Sequence, residues 1–176
     1  MRTGTVTLGI CLGAQLLAVA AGGQVGRGPD GPEIGAYFAA KRDVAETDQL
    51  FAGVPISPDV MQYHYDIVTA LPRGATLLYS SIGYPTQAFR IGAAAWGIQF
   101  HIESSAATVR RWRAEDPVLL ANPELDARFD RRCGAALDEA EAMMGESFRA
   151  MAHRVVEPAT TGAAPGASAS PSPPLP

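Results

Sequence analysis

Two short segments carry side chains whose types and spacing could perform nucleophilic chemistry. The first centres on Cys11, which lies between Gly9 and Gly13, with an apolar β-branched run before it and an alanine- and leucine-rich run after it. This order predicts a strand, a sharp turn and a helix, with the helix N-terminus favouring a thiolate. We expect a side chain at either glycine to collide with the adjoining strand or helix. The alternative is a buried structural cysteine in a glycine-tolerant loop.

The second segment, residues 96–103, is an apolar run that ends in His101 and Glu103. A cysteine nucleophile needs a base, and the base needs a carboxylate that fixes its tautomer. Residues i and i+2 share one side of an extended strand, so both side chains can reach the same place. The two segments together predict Cys11 as nucleophile, His101 as general base and acid, and Glu103 as the group that orients it.

These segments, with others between them, give the chain a resemblance to the class I glutamine amidotransferases of the GMP synthase-like, stand-alone type. The matching segments occur in the family's order and are GICLGAQ (9–15), QYHYD (62–66), LPRGA (71–75), QAFRIG (87–92) and QFHIE (99–103). The resemblance implies an α/β fold, a flavodoxin-like, Rossmann-type three-layer sandwich of the class I glutamine amidotransferase type. The order of predicted strands and helices agrees with such a sheet, whose active site lies at the carboxyl ends of its strands.

The resemblance also implies a glutaminase that forms a thioester and supplies ammonia to a synthase partner, with glutamine as substrate and no cofactor. The backbone N–H of Leu12 would donate to the oxyanion, and Gln15 would contact the substrate. Tyr63, His64 and Tyr65 match the strip whose backbone holds the α-amino and carboxylate groups of glutamine. On spacing alone Gln15 could instead be a helix-surface amide, and His64 a partly buried packing residue.

Two other functions fit the same residues. A γ-glutamyl peptide hydrolase would use the same cysteine and histidine without an ammonia acceptor, and an inactive homologue would bind or regulate a partner. The sequence does not name the ammonia acceptor, because that specificity belongs to the synthase.

The chain departs from the family pattern in three places. Ile102 replaces the usual proline between histidine and glutamate, and the spacing of His101 and Glu103 is kept. Tyr65 replaces a glycine, and a tyrosine would cost roughly 1–2 kcal/mol there if that position needs a positive φ. Third, family members have earlier strands and a glycine-bearing loop that gives the second oxyanion N–H. We therefore expect residues 1–156 to be an amidotransferase domain that lacks its N-terminal strands.

Composition narrows the class of protein. The chain has 176 residues, 47% of them hydrophobic, and a net charge of −4, which predict one domain with no nucleic-acid footprint. Its two cysteines give no disulfide framework and no metal site is expected, so we expect a cytoplasmic protein with no membrane segment. Residues 157–176 are almost entirely alanine, threonine, glycine, serine and proline, which predicts a disordered tail.

Residue patterns also predict the elements around the site. Residues 25–38 and 75–100 should form antiparallel strands that extend the sheet, and residues 48–53 a short helical turn. Ser104 or Ser105 should cap a helix whose inward stripe is Ala106, Val109 and Trp112. A longer helix is predicted over residues 123–155, with Cys133 on its buried stripe as a packing residue.

Overall fold

The computed structural model describes residues 5–156, which fold as a mixed α/β domain with a central sheet and flanking helices. The predicted tail, residues 157–176, lies outside the described residues. The described strands are β1 (Thr7–Ile10), β2 (Gln24–Arg27), β3 (Glu33–Phe38), β4 (Ala40–Lys41), β5 (Asp59–His64), β6 (Asp66–Ala70), β7 (Thr76–Ser80), β8 (Ala88–Ile91) and β9 (Ala95–Ile98). The helices are α1 (Leu12–Ala20), α2 (Ala106–Glu115), α3 (Pro117–Leu120), α4 (Pro123–Ala127), α5 (Asp130–Cys133) and α6 (Ala135–Val156).

The central sheet has five strands in the order β1-β9-β8-β7-β4. Strand β1 pairs with β9 in parallel, and the other pairings are antiparallel. All four residues of β9 are buried, as expected of a strand that is covered on both faces. The β1–β9 pair matters most for the site, because the chain reaches Cys11 from the end of β1 and His101 shortly after the end of β9.

Residues 25–38 form antiparallel strands as predicted, but the prediction that these strands extend the main sheet is wrong. Strand β2 pairs with β6 and β3 pairs with β5, each as a separate antiparallel pair. The strands after residue 75 do extend the central sheet, as predicted. Pairing partners that are distant in the chain are chosen by packing, which a local residue pattern does not encode.

The single long helix predicted over residues 123–155 is divided into α4, α5 and α6. Gly134 follows α5 with φ −81° and ψ −137°, which interrupts the helical backbone. The Arg110 guanidinium donates to the carbonyl oxygens of Cys133 and Gly134 at 2.9 and 2.8 Å, so these freed acceptors are satisfied. The buried stripe is nevertheless as predicted, and includes Phe129, Cys133, Leu137, Met144, Phe148 and Met151.

The predicted cap of the next helix is confirmed, because the Ser105 hydroxyl accepts a hydrogen bond from the Thr108 N–H at the start of α2. Ala106 and Val109 are buried on its inner face. The short helical turn predicted over residues 48–53 is a series of turns, and a 3₁₀ helix lies just before it at Asp43–Thr47. Among the residues that the structure describes, no helix combines the length and the apolar character needed to cross a membrane.

Candidate active site

The turn at Cys11 is held in a strained backbone conformation. Its φ and ψ are 48° and −107°, and among the described residues it is the non-glycine residue with positive φ. The Cys11 N–H donates to the Ile98 carbonyl at 2.8 Å, which fixes the turn to the end of β9. Strain of this kind costs on the order of 1–3 kcal/mol and persists only where the surrounding structure enforces it. The elbow predicted from the sequence is therefore present, and the cysteine is partly exposed.

The two glycines beside the elbow are not equivalent. A Cβ on Gly9 would lie 2.5 Å from the Gly13 carbonyl oxygen and 2.8 Å from the Ala14 nitrogen, so α1 packs directly on the Gly9 backbone. A Cβ on Gly13 would meet nothing within 4 Å. The expected collision is confirmed for Gly9 and is wrong for Gly13, because the second position faces open space.

His101 and Glu103 lie together next to this turn. His101 is buried, and its Nδ1 atom is 2.6 Å from Oε1 of the exposed Glu103. His101 does not lie within β9: its N–H donates to the Met61 carbonyl in an isolated bridge, and the chain then bends towards Glu103. Ile102, at the usual proline position, packs against the main hydrophobic core and leaves the contact intact.

The electrostatic surroundings favour a charged His101. Burial alone would lower the pKa of His101, but the Cys11 side chain and the Glu103 carboxylate raise it to about 9. Burial likewise acts to raise the pKa of Glu103, and the hydrogen bond and charge of His101 bring it below its ordinary value. The pair therefore holds an imidazolium beside a carboxylate at neutral pH.

The other ring nitrogen, Nε2 of His101, is available for proton transfer. It is buried and makes no hydrogen bond of ordinary geometry within residues 5–156, although Cys11 lies close enough to raise the His101 pKa. The Trp112 ring packs on the imidazole at 5.0 Å between centroids, which restricts its rotation. A buried, unpaired nitrogen beside a cysteine is the arrangement that a general acid and base requires.

Two further groups contact the sulfur of Cys11. The Sγ atom lies 3.8 Å from the Tyr63 carbonyl oxygen, and Nε2 of Gln99 donates towards Sγ at 3.6 Å. Sequence reasoning placed Tyr63 near the substrate but gave Gln99 no role. The available signal was that only one residue separates Gln99 from His101, so the two share a side wherever the chain is extended.

Gln15 lies one turn along α1 from Cys11 and is buried. Its Nε2 atom donates to the Asp66 carbonyl at 2.7 Å and to Oε1 of Gln99 at 3.3 Å. The alternative of a helix-surface amide is therefore wrong, since the side chain turns into the protein, and contact of Gln15 with the substrate stays a prediction. By contrast, the Leu12 side chain is exposed. Its backbone N–H, at the start of α1, is the group predicted to donate to the oxyanion.

The hydroxyl groups of Tyr63 and Tyr65 converge on one buried carboxylate that sequence reasoning missed. Both donate to Oδ2 of Asp116, at 2.7 and 2.8 Å. Burial and these hydrogen bonds raise the pKa of each phenol above its usual range. Tyr65 does not have positive φ, so the backbone cost considered for a tyrosine at this position does not arise.

The His64 side chain does not face the cysteine. Its Nε2 atom lies 3.0 Å from Oε2 of the buried Glu33, and the Tyr84 ring packs edge-on against it. Nε2 of Gln87 donates to the same Glu33 oxygen at 2.9 Å. His64 is thus a buried, paired residue on the opposite side of β5, and only its backbone remains a candidate for substrate contact.

The chain is similar in sequence and in structure to known proteins. The family described as glutamine amidotransferase class-I matches residues 1–113. A glutamine-hydrolysing GMP synthase subunit of Thermococcus kodakarensis is 38% identical over 97 residues, which cover 54% of this chain and 50% of that protein. The glutamine-hydrolysing GMP synthase of Aeropyrum pernix is 37% identical over 103 residues, which cover 58% of this chain and 19% of that protein.

A glutamine amidotransferase of Thermotoga maritima, known from a crystal structure, superposes with a TM-score of 0.66 at 32% identity and covers 88% of this chain and 62% of that one. The chain belongs to the class I glutamine amidotransferase family. It spans about half the length of the Thermococcus relative that it matches, and about a fifth of the longer Aeropyrum synthase.

Proposed function

We propose that the chain hydrolyses the side-chain amide of glutamine with Cys11, His101 and Glu103. The observation that carries the proposal is the meeting of a strained, partly exposed cysteine with a buried histidine that is held by a carboxylate at 2.6 Å. Each of the three groups has a local geometry that folding alone does not require. A buried structural cysteine would need neither a strained backbone nor a histidine with a free nitrogen.

In the first half of the reaction the Cys11 thiolate attacks the amide carbon, and the carbonyl oxygen becomes an oxyanion. The Leu12 N–H donates to that oxyanion from the start of α1. The imidazolium of His101 then gives its proton to the departing nitrogen, the C–N bond breaks, and ammonia leaves. A thioester between Cys11 and the glutamyl group remains, and His101 is neutral.

In the second half neutral His101 takes a proton from water, and the resulting hydroxide attacks the thioester carbon. The C–S bond breaks, glutamate is released, and Cys11 returns to the thiolate beside protonated His101. Glu103 keeps the imidazole oriented through both steps and stabilises its charged form. The backbone of Tyr63, His64 and Tyr65, with the Gln15 side chain, would hold the α-amino and carboxylate groups of the substrate.

The ammonia acceptor is proposed from the relatives, which include a subunit of glutamine-hydrolysing GMP synthase. We propose that this chain supplies ammonia to a synthase partner. Addition of a synthase partner should raise the rate of glutamine hydrolysis, and ammonia should be incorporated into its product.

The direct test is ammonia release from free glutamine, measured beside release of amines from γ-glutamyl peptides. We expect turnover of glutamine that is abolished by Cys11→Ser and unaffected by Cys133→Ser, which changes a buried cysteine whose sulfur faces the Ile34 carbonyl. Faster turnover of the peptides would instead identify a γ-glutamyl hydrolase. A folded chain, alone and with its synthase partner, that turns over neither substrate would favour an inactive binding homologue.

A further inference from the structure

The Gln99 side chain has no role in the mechanism above, yet it is buried directly beside the nucleophile. It is 2% exposed, and its Nε2 atom lies 3.6 Å from Sγ of Cys11. The Gln99 backbone N–H donates to the Gln87 carbonyl at 2.8 Å, which fixes its position just beyond β9. An amide at this position either donates to the sulfur or presents its carbonyl oxygen to it, with opposite effects on a thiolate.

A second amide decides which end of Gln99 faces the sulfur. Nε2 of Gln15 donates to Oε1 of Gln99 at 3.3 Å and also to the Asp66 carbonyl at 2.7 Å. A carbonyl oxygen cannot donate to the Asp66 carbonyl, so the side-chain nitrogen of Gln15 must be the atom that faces Asp66. The second N–H of that nitrogen then donates to the side-chain oxygen of Gln99. The nitrogen of Gln99 is then left facing Cys11.

The sulfur has different partners in its two protonation states. A thiol can donate to the Tyr63 carbonyl at 3.8 Å, whereas a thiolate gains nothing from that oxygen. The Gln99 N–H is a donor that does not itself titrate, and a donor favours the charged form of its acceptor. His101 is the titratable group beside the sulfur, and Glu103 acts on the sulfur through His101. The Tyr63 hydroxyl donates to Asp116 and so does not act on the sulfur.

We propose that Gln99 is a positioning residue for the Cys11 thiolate, with its amide oriented by Gln15 and the Asp66 carbonyl. The proposal rests on the proposed function, because it gives Gln99 its role through the nucleophile. Gln99 stabilises the sulfur anion before attack and again when the thioester breaks. It therefore acts on both halves of the reaction through the sulfur of Cys11.

The test measures alkylation of Cys11 by iodoacetamide from pH 6 to pH 10, with the modified peptide quantified by mass spectrometry. Gln99→Leu keeps the size of the side chain and removes the donor, and Gln99→Glu replaces the donor with a negative charge. At pH 6–7 we expect the rate to fall about tenfold for Gln99→Leu and further for Gln99→Glu. At pH 10 both variants should react as fast as the unmodified protein.

Gln62→Leu is the matched control, since Gln62 is another buried glutamine whose side chain donates to Gln87 and not to the sulfur. Its Cys11 should react normally at every pH, and urea unfolding should verify that each variant is folded.

The outcomes separate the two proposals. A Cys11 that resists alkylation in the unmodified protein would contradict the proposed function itself. A reactive Cys11 whose rate is unchanged in Gln99→Leu, or is lowered equally at every pH, would overturn the role of Gln99 alone.

Discussion

Replacing Gly9 with alanine should disrupt both the stability of the domain and the geometry of the nucleophile. The new Cβ would lie 2.5 Å from the Gly13 oxygen, and the backbone of α1 would have to retreat by roughly 0.5–0.9 Å to reach the 3.0–3.4 Å of tight real contacts. Overpacking of this kind typically costs about 1–3 kcal/mol, because backbone atoms cannot rotate away as a side chain can. The retreat also moves the Leu12 N–H away from the proposed oxyanion position.

Gly13→Ala is the matched control. It adds the same methyl group four residues later in open space, and alanine favours a helix over glycine by up to about 1 kcal/mol. Urea unfolding should therefore separate the two variants by about 2–4 kcal/mol, with Gly9→Ala the less stable. Ammonia release should fall by on the order of a hundredfold for a displacement near 1 Å. Equal stabilities for the two variants would show that α1 does not press on Gly9 as described.

Three further predictions concern the triad. Cys11 should be labelled rapidly by a glutamine-like electrophile while buried Cys133 is not, and fast labelling of Cys133 instead would contradict the assignment of the nucleophile. His101→Ala should lower ammonia release by about 10²- to 10⁴-fold and Glu103→Ala by less. The first change removes proton transfer, whereas the second removes only the group that orients the imidazole. A fully active Glu103→Ala would reduce the triad to a dyad. Folding raises the pKa of His101 from 6.5 to about 9. The stabilisation that follows from this shift is therefore fully present below pH 6.5 and is lost as the pH rises through 9. The free energy of unfolding should drop by about 2–3 kcal/mol from pH 6 to pH 9.5. The His101→Gln variant should lack that drop, and an equal drop in both proteins would refute the cause.

Features that depend on neighbours in the chain could be predicted from the sequence. The strand, turn and helix around Cys11 follow from an apolar run, glycines and helix formers that occur in order. The cap at Ser105 and the buried stripe through Cys133 and Phe148 follow from spacing alone. The proximity of His101 and Glu103 also follows, because only one residue separates them.

Features that depend on distant parts of the chain could not be predicted in this way. The role of Asp116 requires two tyrosine hydroxyls that lie more than 50 residues earlier in the chain. The contact between Gln99 and Cys11 joins two ends of neighbouring strands, 88 residues apart. The helix break at Gly134 is stabilised by Arg110 from another helix, so the pattern of buried residues continues while the hydrogen-bonded helix does not. Tertiary contacts decided all three.

The conformation of Cys11 bears on how this sequence has been selected. Glycine adopts positive φ readily, so Cys11→Gly would relieve the strain at the turn and stabilise the fold, whereas cysteine there is a standing disadvantage. A lineage that had lost its chemistry would gain by drifting to glycine or by relaxing the turn. A cysteine in an unfavourable backbone conformation, with a histidine nearby, is the outcome expected when selection acts on the sulfur itself.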